Sequence, residues 1–121
     1  MTNLTGQLPR PKGARVTVAA KPSAPLRKAA RGETCTLRLD GCLPGTETVV
    51  LAHLRHFGWA GTSQKPDDLL AVFACHACHD ALDRRTHTPC GYDDILRALG
   101  ETLLRHKAAG RLTVGGQVER R

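Results

Sequence analysis

Two pairs of cysteines constrain the fold of this chain more than any other feature of its sequence. Six residues separate Cys35 from Cys42, and two residues separate Cys75 from Cys78. A C-x2-C pair that follows an apolar segment is a strong signal for a zinc knuckle, and two pairs together supply the four ligands of a tetrahedral zinc ion. We therefore predict a structural zinc ion on these four residues. The longer first pair is the weaker half of this prediction, since two small buried cysteines would fit the same spacing.

The composition explains why such a chain needs a metal. Aromatic residues make up only 3% of the 121 residues. Large rings contribute much of the burial in ordinary cores, so the core of this chain must be thin. Domains of roughly 70 residues commonly compensate with a structural metal. We expect a single small α+β domain stabilised by zinc.

The positive charge of the chain is concentrated at its N-terminal end. The formal net charge is +7, and residues 1–32 hold seven Lys and Arg but no Asp or Glu, which leaves residues 33–121 formally neutral. Basic arms of this kind favour a polyanion partner, because binding releases counterions. Nucleic acid, and DNA in particular, is the partner we expect; a solubilising disordered tail is the alternative. We divide the chain into a flexible basic arm (1–25), a zinc-stabilised domain (26–109) and a flexible tail (110–121).

The cysteines also bear on the cellular compartment. Residues 1–7 contain no apolar h-region, so we expect no secretory signal, and no apolar stretch is long enough to span a membrane. We expect a cytoplasmic protein without a membrane partner, in a reducing compartment where C-x2-C pairs bind metal rather than form disulfides. The odd cysteine, Cys90, is predicted to be a free thiol in a loop, although His87 could join it in a second site.

Apolar patterns predict the order of the secondary-structure elements. Strands are expected at 48–54 and 69–74, with a functional loop over 57–68 between them. A helix is expected at 76–85, and a second helix begins at a cap at Asp93 and ends before Gly110. A short basic helical turn over 26–31 precedes all of them. The inward positions predicted for the last helix are Ile95, Leu96, Leu99, Leu103 and Leu104.

Two histidines lie beside these elements without being needed by the zinc ion. His53 ends the first predicted strand, and His79 directly follows the second cysteine pair. A neutral imidazole both accepts a proton and ligates a metal near pH 7. A strand histidine that faces a helix histidine is therefore chemically able to support metal-dependent hydrolysis. Spacing alone leaves this interpretation level with two structural histidines.

The ordered motifs of residues 26–92 resemble a known family. They are LRKAARG at 26–32, Cys35, LAH at 51–53, KPDDL at 65–69, ACHACHD at 74–80 and DRRTH at 83–87. Together they are similar to the YbcO-like nucleases of phages and prophages, which are placed among the HNH, or His-Me finger, endonucleases. The resemblance implies a ββα-metal core of hairpin, zinc knuckle and helix, to which the predicted C-terminal helix is an addition.

The resemblance also implies roles for individual residues. His53 matches the general-base histidine, and His79 matches the helix histidine that ligates the catalytic metal. The middle position, usually Asn, is filled by an acidic residue, Asp68 or its neighbour Asp67, which would hold the His53 ring. Asp83, one helical turn after His79, is a further candidate metal ligand, with a solvated carboxylate as the alternative.

The function implied is that of a metal-dependent HNH-type endonuclease that hydrolyses phosphodiester bonds. Its catalytic divalent cation would be Mg²⁺, Mn²⁺, Ni²⁺ or Zn²⁺. A zinc-stabilised nucleic-acid-binding module without turnover and a zinc-based protein-interaction domain with a leucine-rich dimer helix are the alternatives. The residues expected to contact nucleic acid are Arg27, Lys28, Arg31, Arg55, Arg84 and Arg85.

Overall fold

Three helices and two strands make up the part of the chain that the computed structural model describes, residues 24–55 and 65–115. Most of the predicted arm, most of the predicted loop over 57–68 and the end of the predicted tail lie outside these ranges. The described elements follow in the order α1, β1, β2, α2 and α3, with a 3₁₀ turn at Ala30–Gly32 after α1. Their bounds are α1 Ala24–Ala29, β1 Val50–His53, β2 Ala71–Ala74, α2 His76–Leu82 and α3 Tyr92–Ala108.

The two strands form an antiparallel hairpin whose second strand is the centre of the fold. Val50 pairs with Ala74, and His53 pairs with Ala71. All four residues of β2 are fully buried, because α3 packs against this strand. Both strands lie where the sequence predicts them but are shorter. Thr48, predicted within the strand, lies before β1, and its hydroxyl accepts a hydrogen bond from the backbone N–H of His76, 3.1 Å away.

The helix α2 begins and ends on side chains that matter for the site. Cys75 is its N-cap, and the Cys75 sulfur accepts a hydrogen bond from the N–H of Cys78. The prediction of helix up to Arg85 is wrong, since the helix ends at Leu82. Arg84 lies in the left-handed region with φ of 62°, a conformation that cannot continue an α-helix.

The helix α3 is confirmed, but its cap and its buried face differ from the prediction. Gly91 is the N-cap, and its N–H donates to the Asp94 carboxylate at 3.0 Å, so the predicted cap at Asp93 is wrong. Leu96 and Leu104 were predicted to be inward but are 72% and 66% exposed. The buried positions are Ile95, Ala98, Thr102 and His106.

A buried polar cluster sets this face of α3. The hydroxyls of Thr36 and Thr102 lie 3.1 Å apart, and the Thr36 hydroxyl also donates to the carbonyl of Phe73. The ring of His106 meets that of Phe73 edge to face at 5.2 Å, and its Nδ1 accepts from Arg111. Hydrogen bonds compensate the burial of the two threonine hydroxyls, so these residues take core positions that apolarity alone assigns to leucines. The buried Nε2 of His106, in contrast, has no hydrogen-bond partner among the described residues.

The small α+β class is confirmed, with α3 as the predicted additional helix. The order β1, β2, α2 is the order of a ββα unit, and its assignment to the His-Me finger class stays a prediction. Among the described residues, no helix combines the length and the apolar character needed to cross a membrane.

Candidate metal centre and catalytic groove

The four predicted cysteines meet in one cluster. The sulfur atoms of Cys35, Cys42, Cys75 and Cys78 all lie within 4.8 Å of one another. The sulfurs of Cys42 and Cys75 are 3.8 Å apart. A tetrahedral zinc ion with bonds of about 2.3 Å to sulfur requires sulfur–sulfur edges of about 3.8 Å, so the cluster fits zinc in both ligand type and size.

Backbone N–H groups surround the sulfurs and favour their charged form. The N–H of Leu39 donates to Cys78 at 3.4 Å, and the N–H of Leu43 donates to Cys75 at 3.3 Å. Burial opposes a thiolate at Cys75, but hydrogen bonds from the N–H groups of Leu43 and Cys78, together with the Cys78 and Cys42 thiols, lower the pKa of Cys75 to about 7. The tight loop that carries the donors turns at Gly41, whose φ of 83° favours glycine.

The other thiols depend on a cation for their charge. Burial raises the pKa of Cys42 to about 11 and raises the pKa of Cys78 still further. Thiols that are this reluctant to ionise become thiolates when a metal ion lies among them. With four protein ligands and no open position, the cluster has the composition of a structural rather than a catalytic zinc site. Cys90 is outside it, and burial raises the pKa of its thiol.

A groove opens beside α2, close to the cysteine cluster along the chain but chemically different from it. Its volume is about 720 Å³, and it is open to solvent. It brings His53 of β1 together with His79 and Asp83 at the start and end of one helical turn. The lining side chains are Leu51, His53, Arg55, His79, Asp83, Arg84, Arg85 and Tyr92.

His53 is held at the edge of this groove by Asp68. Its Nε2 lies 2.7 Å from the Asp68 carboxylate, and both side chains are more than 90% buried. The neighbouring Asp67 instead accepts a hydrogen bond from the N–H of Leu69 at 2.9 Å. An ionised carboxylate only accepts, so Nε2 is the donor in this contact, which leaves Nδ1 as the ring nitrogen able to hold a lone pair. Geometry therefore selects Asp68 over Asp67 as the partner of His53.

His79 and Asp83 form a second pair on α2. The His79 Nε2 and an Asp83 oxygen are 3.2 Å apart, and both side chains are about a quarter to a third exposed. Two ligand atoms that each lie about 2.1 Å from one small divalent ion are about 3 Å apart. The pair has the donor types and the separation of two neighbouring ligands of such an ion.

The predicted phosphate-binding residues separate into distinct groups. Arg85 pairs with Asp80 at 3.2 Å and with Asp83 at 3.5 Å, whereas Arg55 and Arg84 are exposed and make no ion pair within the described residues. Arg27 pairs with Asp68 at 3.5 Å. Lys28 and Arg31 are exposed and do not line the groove.

Two lining residues, Leu51 and Tyr92, are absent from the predicted site, and Tyr92 is the polar one. It is the first residue of α3, and its side chain is 38% exposed. Nothing in the local pattern distinguishes it from an ordinary helix-start residue, because only the packing of α3 on the hairpin brings it to the groove.

The two sites define a small α+β domain that carries a tetracysteine cluster fit for zinc and an open groove of histidine, aspartate and arginine side chains. A family model described as "Putative nuclease YbcO" matches residues 24–111, so the chain belongs to the YbcO family. Relatives named "Putative nuclease YbcO" from Escherichia coli K12 and "Putative nuclease ybcO" from Enterobacteria phage 82 are each 58% identical over 65 residues. Those residues are 53% of this chain and 68% of each relative.

A solved structure is similar as well. It is described as a bacteriophage protein from Escherichia coli K-12 MG1655, is 41% identical, and superposes with a TM-score of 0.58. The match covers 71% of this chain and all of that chain. Family membership supports nuclease activity in general terms.

Proposed function

We propose that this protein is a metal-dependent endonuclease of the HNH type that hydrolyses phosphodiester bonds, with DNA as its substrate. The observation that carries the proposal is the groove itself. It places His53, held through its Nε2 by Asp68, beside the His79–Asp83 pair. A base and a metal-binding pair in one open, arginine-lined groove are the parts that phosphodiester hydrolysis needs.

His53 is the general base in this proposal. Its Nδ1 takes a proton from the attacking water, and the imidazolium that forms is stabilised by the Asp68 carboxylate 2.7 Å from Nε2. The same contact fixes the plane of the ring, so the lone pair keeps one direction. A buried carboxylate suits this role better than the usual Asn of the middle position where a positive charge develops on the ring.

His79 and Asp83 would hold the catalytic cation. When bound, a divalent ion there stabilises negative charge on the phosphate and on the leaving oxygen. The imidazole nitrogen suits Ni²⁺ and Zn²⁺, and the carboxylate suits Mg²⁺ and Mn²⁺, so the pair leaves all four ions as candidates. Arg85, 3.5 Å from the Asp83 carboxylate, keeps that side chain in place.

Arg55 and Arg84 are the groove cations that remain available for substrate. Both are exposed and lack an ion-pair partner among the described residues. A guanidinium contacts phosphate through two parallel hydrogen bonds. We assign these two side chains to phosphates that flank the scissile bond, and we assign Lys28 and Arg31 to more distant backbone contacts.

Cleavage of supercoiled plasmid by the zinc-loaded protein tests the proposal. Nicking should require added Mg²⁺, Mn²⁺ or Ni²⁺, and His53→Ala and His79→Ala should each reduce its rate by about 10²-fold or more. The matched controls are His87→Ala, an exposed loop residue, and His76→Ala, an exposed residue of α2 outside the groove lining. Both controls should cleave like the wild type.

The opposing outcomes identify the alternatives. Salt-sensitive DNA binding without cleavage in any divalent metal would replace the endonuclease with a zinc-stabilised binding module. Equal nicking by the wild type and His53→Ala would remove His53 as the base. Absence of DNA binding at low salt would favour a protein-interaction domain.

A further inference from the structure

Arg27 makes a contact that its place in the basic N-terminal segment does not suggest. Its Nε lies 3.5 Å from the Asp68 carboxylate, whose other oxygen is 2.7 Å from His53. We propose that Arg27 is a positioning residue that acts on His53 through Asp68. Its catalytic meaning rests on the endonuclease function proposed above.

The burial of Asp68 is the first reason. Its side chain is only 6% exposed, and a buried carboxylate is unfavourable unless charged or polar partners compensate it. His53 faces one of its oxygens and Arg27 faces the other. Since a neutral His53 supplies a hydrogen bond but no charge, the contact with Arg27 adds a formal positive charge beside Asp68.

The charge of Arg27 affects the protonation of the His53 ring. While Asp68 stays ionised by its contact with Arg27, it accepts the Nε2 proton, and Nδ1 keeps its lone pair. Without the charge of Arg27, an extra proton on the Asp68–His53 pair becomes more favourable. The ring then spends more time as imidazolium at neutral pH, and an imidazolium cannot act as a base.

Helix packing fixes Arg27 in this place. Leu26 and Ala30 are 4% and 2% exposed, and they hold α1 and its 3₁₀ extension against β1. The backbone of Arg27 is thereby anchored, and its side chain, 47% exposed, reaches Asp68. The next residue, Lys28, is exposed and makes no ion pair among the described residues. Lys28 is thus a matched control for the loss of one positive charge from the same helix.

NMR titration of the His53 ring nitrogens in zinc-loaded protein, without a catalytic metal, measures the effect independently of cleavage. Arg27→Gln should raise the pH at which Nδ1 takes up a proton by roughly one unit or less, and Asp68→Asn should lower it. Arg27→Lys should stay near the wild type, and Lys28→Gln should leave the midpoint unchanged. The other charged groups around the ring, Arg55, His79, Asp83, Arg84 and Arg85, are the same in all variants.

A role in folding alone would not move the midpoint in opposite directions in Arg27→Gln and Asp68→Asn. An unchanged or lowered midpoint in Arg27→Gln overturns the proposal. In cleavage assays Arg27→Gln should lower kcat with little change in KM, whereas a phosphate contact would raise KM. Opposite midpoint shifts in a protein that cleaves nothing would keep the positioning role and reject the endonuclease. Unaltered cleavage and an unaltered titration midpoint in Arg27→Gln would reject the positioning role and keep the endonuclease.

The outer face of α3 carries an independent observation. Five exposed residues, separated from one another by three or four positions, form one stripe opposite the buried face: Asp93, Leu96, Gly100, Leu104 and Lys107. Leu96 and Leu104 are 72% and 66% exposed. We infer that this stripe binds the same stripe of a second copy of the chain, with the two helices antiparallel.

Gly100 points to a close partner. A glycine in an exposed helix interior destabilises the helix relative to alanine, yet a Cβ at Gly100 would meet no atom within 4 Å. Nothing within the described fold therefore requires a glycine there. Because glycine has no side chain, a second helix that crosses at this position can approach the backbone of α3 closely.

The charges select the antiparallel arrangement. Leu96 and Leu104 lie four residues on either side of Gly100, and Asp93 and Lys107 lie seven residues on either side. In an antiparallel pair centred on Gly100, each Leu96 meets the Leu104 of the second copy and each Asp93 meets its Lys107. Neither charged residue makes an ion pair within residues 24–55 and 65–115. A parallel pair would place like charges together.

Sedimentation equilibrium of the full zinc-loaded chain tests the dimer. One pair of crossing helices buries less than the roughly 1,200 Å² of a standard interface, so we expect a reversible dimer in about the micromolar range or weaker. Leu96→Glu should abolish it, while Val114→Glu, at a residue 71% exposed outside the stripe, should not. Gly100→Ala should raise Tm of the monomer and weaken the dimer at once.

Charge reversal decides the orientation and the partner. Asp93→Lys and Lys107→Glu should each weaken association, and the double reversal should restore it. A wild type that stays monomeric at all concentrations overturns the inference and leaves the stripe to a different protein. Equal association of the wild type and Leu96→Glu assigns the dimer to another surface.

Discussion

The cysteine cluster and the groove both contain residues of α2, but the cluster is buried and closed whereas the groove is open to solvent. Cys78 is 1% exposed, and its sulfur shares a closed set of four ligands, whereas the side chain of the next residue, His79, is 30% exposed in an open groove. A complete set of four protein ligands leaves no coordination position for water or substrate, whereas an incomplete ligand set leaves such positions open. Two adjacent residues of one helix therefore belong to different sites, Cys78 to the closed cluster and His79 to the open groove.

The polar surroundings of the two sites differ in the same way. In the cluster, backbone N–H groups from Leu39 and Leu43 satisfy the sulfurs. In the groove, the arginine side chains are exposed, and Arg55 and Arg84 lack ion-pair partners within the described residues. Sulfurs that accept hydrogen bonds within the protein belong to a site that stabilises the fold. Exposed arginines without ion-pair partners among the described residues belong to a site that can bind an anion.

The largest expected effect separates the cluster from an ordinary buried cysteine. Cys78→Ser should prevent cooperative folding, because structural zinc supplies about 10–16 kcal/mol in zinc-finger peptides and small domains have only about 5–15 kcal/mol in total. Cys90→Ser, the control, should retain bound zinc and its thermal transition. Zinc content and circular dichroism during heating measure both. A folded, zinc-free Cys78→Ser protein would show that the cluster is not the structural element.

An intermediate effect concerns the strained residue of the groove. Arg84→Gly should stabilise the protein by roughly 1 kcal/mol, because glycine adopts a positive φ without cost, and should reduce cleavage about 10-fold through the lost phosphate contact. Arg84→Lys keeps both the strain and the charge, so its stability should match the wild type. Thermal unfolding and nicking rates are the measurements. A stabilised Arg84→Gly protein with full activity would remove Arg84 from substrate binding.

The smallest effect concerns the clamp between the cysteine loop and α3. The Arg38 guanidinium makes two hydrogen bonds of 2.6 and 2.7 Å to Glu101, and this contact lowers the pKa of Glu101 to about 2. The stabilisation is therefore present above the ordinary value of 4.5 and lost as the pH falls through 2. Both groups are partly exposed, so Glu101→Gln should cost only about 0.5 kcal/mol at pH 7.

Denaturant unfolding checks this at pH 7 and at the lowest pH where the zinc-loaded protein still unfolds cooperatively. The difference between the wild type and Glu101→Gln should shrink at the lower pH. Glu47→Gln, at an exposed residue with no ion pair among those described, should show no difference at either pH. A gap that grows on acidification would contradict the assignment of the pKa.

The local sequence predicted the positions of the strands and helices better than it predicted which face of a helix is buried. The apolar runs before His53 and Cys75 identify both strands, because burial on both sides of β2 leaves an uninterrupted apolar segment. The buried face of α3 was predicted wrongly for Leu96 and Leu104, since the Thr36–Thr102 hydrogen bond joins residues that are 66 positions apart. No periodic pattern contains such a long-range polar contact.

The sequence by itself determined the ligand set of the cluster, the two histidines and the family, because these depend on residue type and spacing along a short segment. Only the tertiary structure decided which acid holds His53, which arginines remain free and what Arg27 contacts. Asp67 and Asp68 are adjacent in the chain, yet one closes a turn and the other faces His53. Charged side chains find their partners through the packing of α1, β1 and α2, and that packing has no local signature.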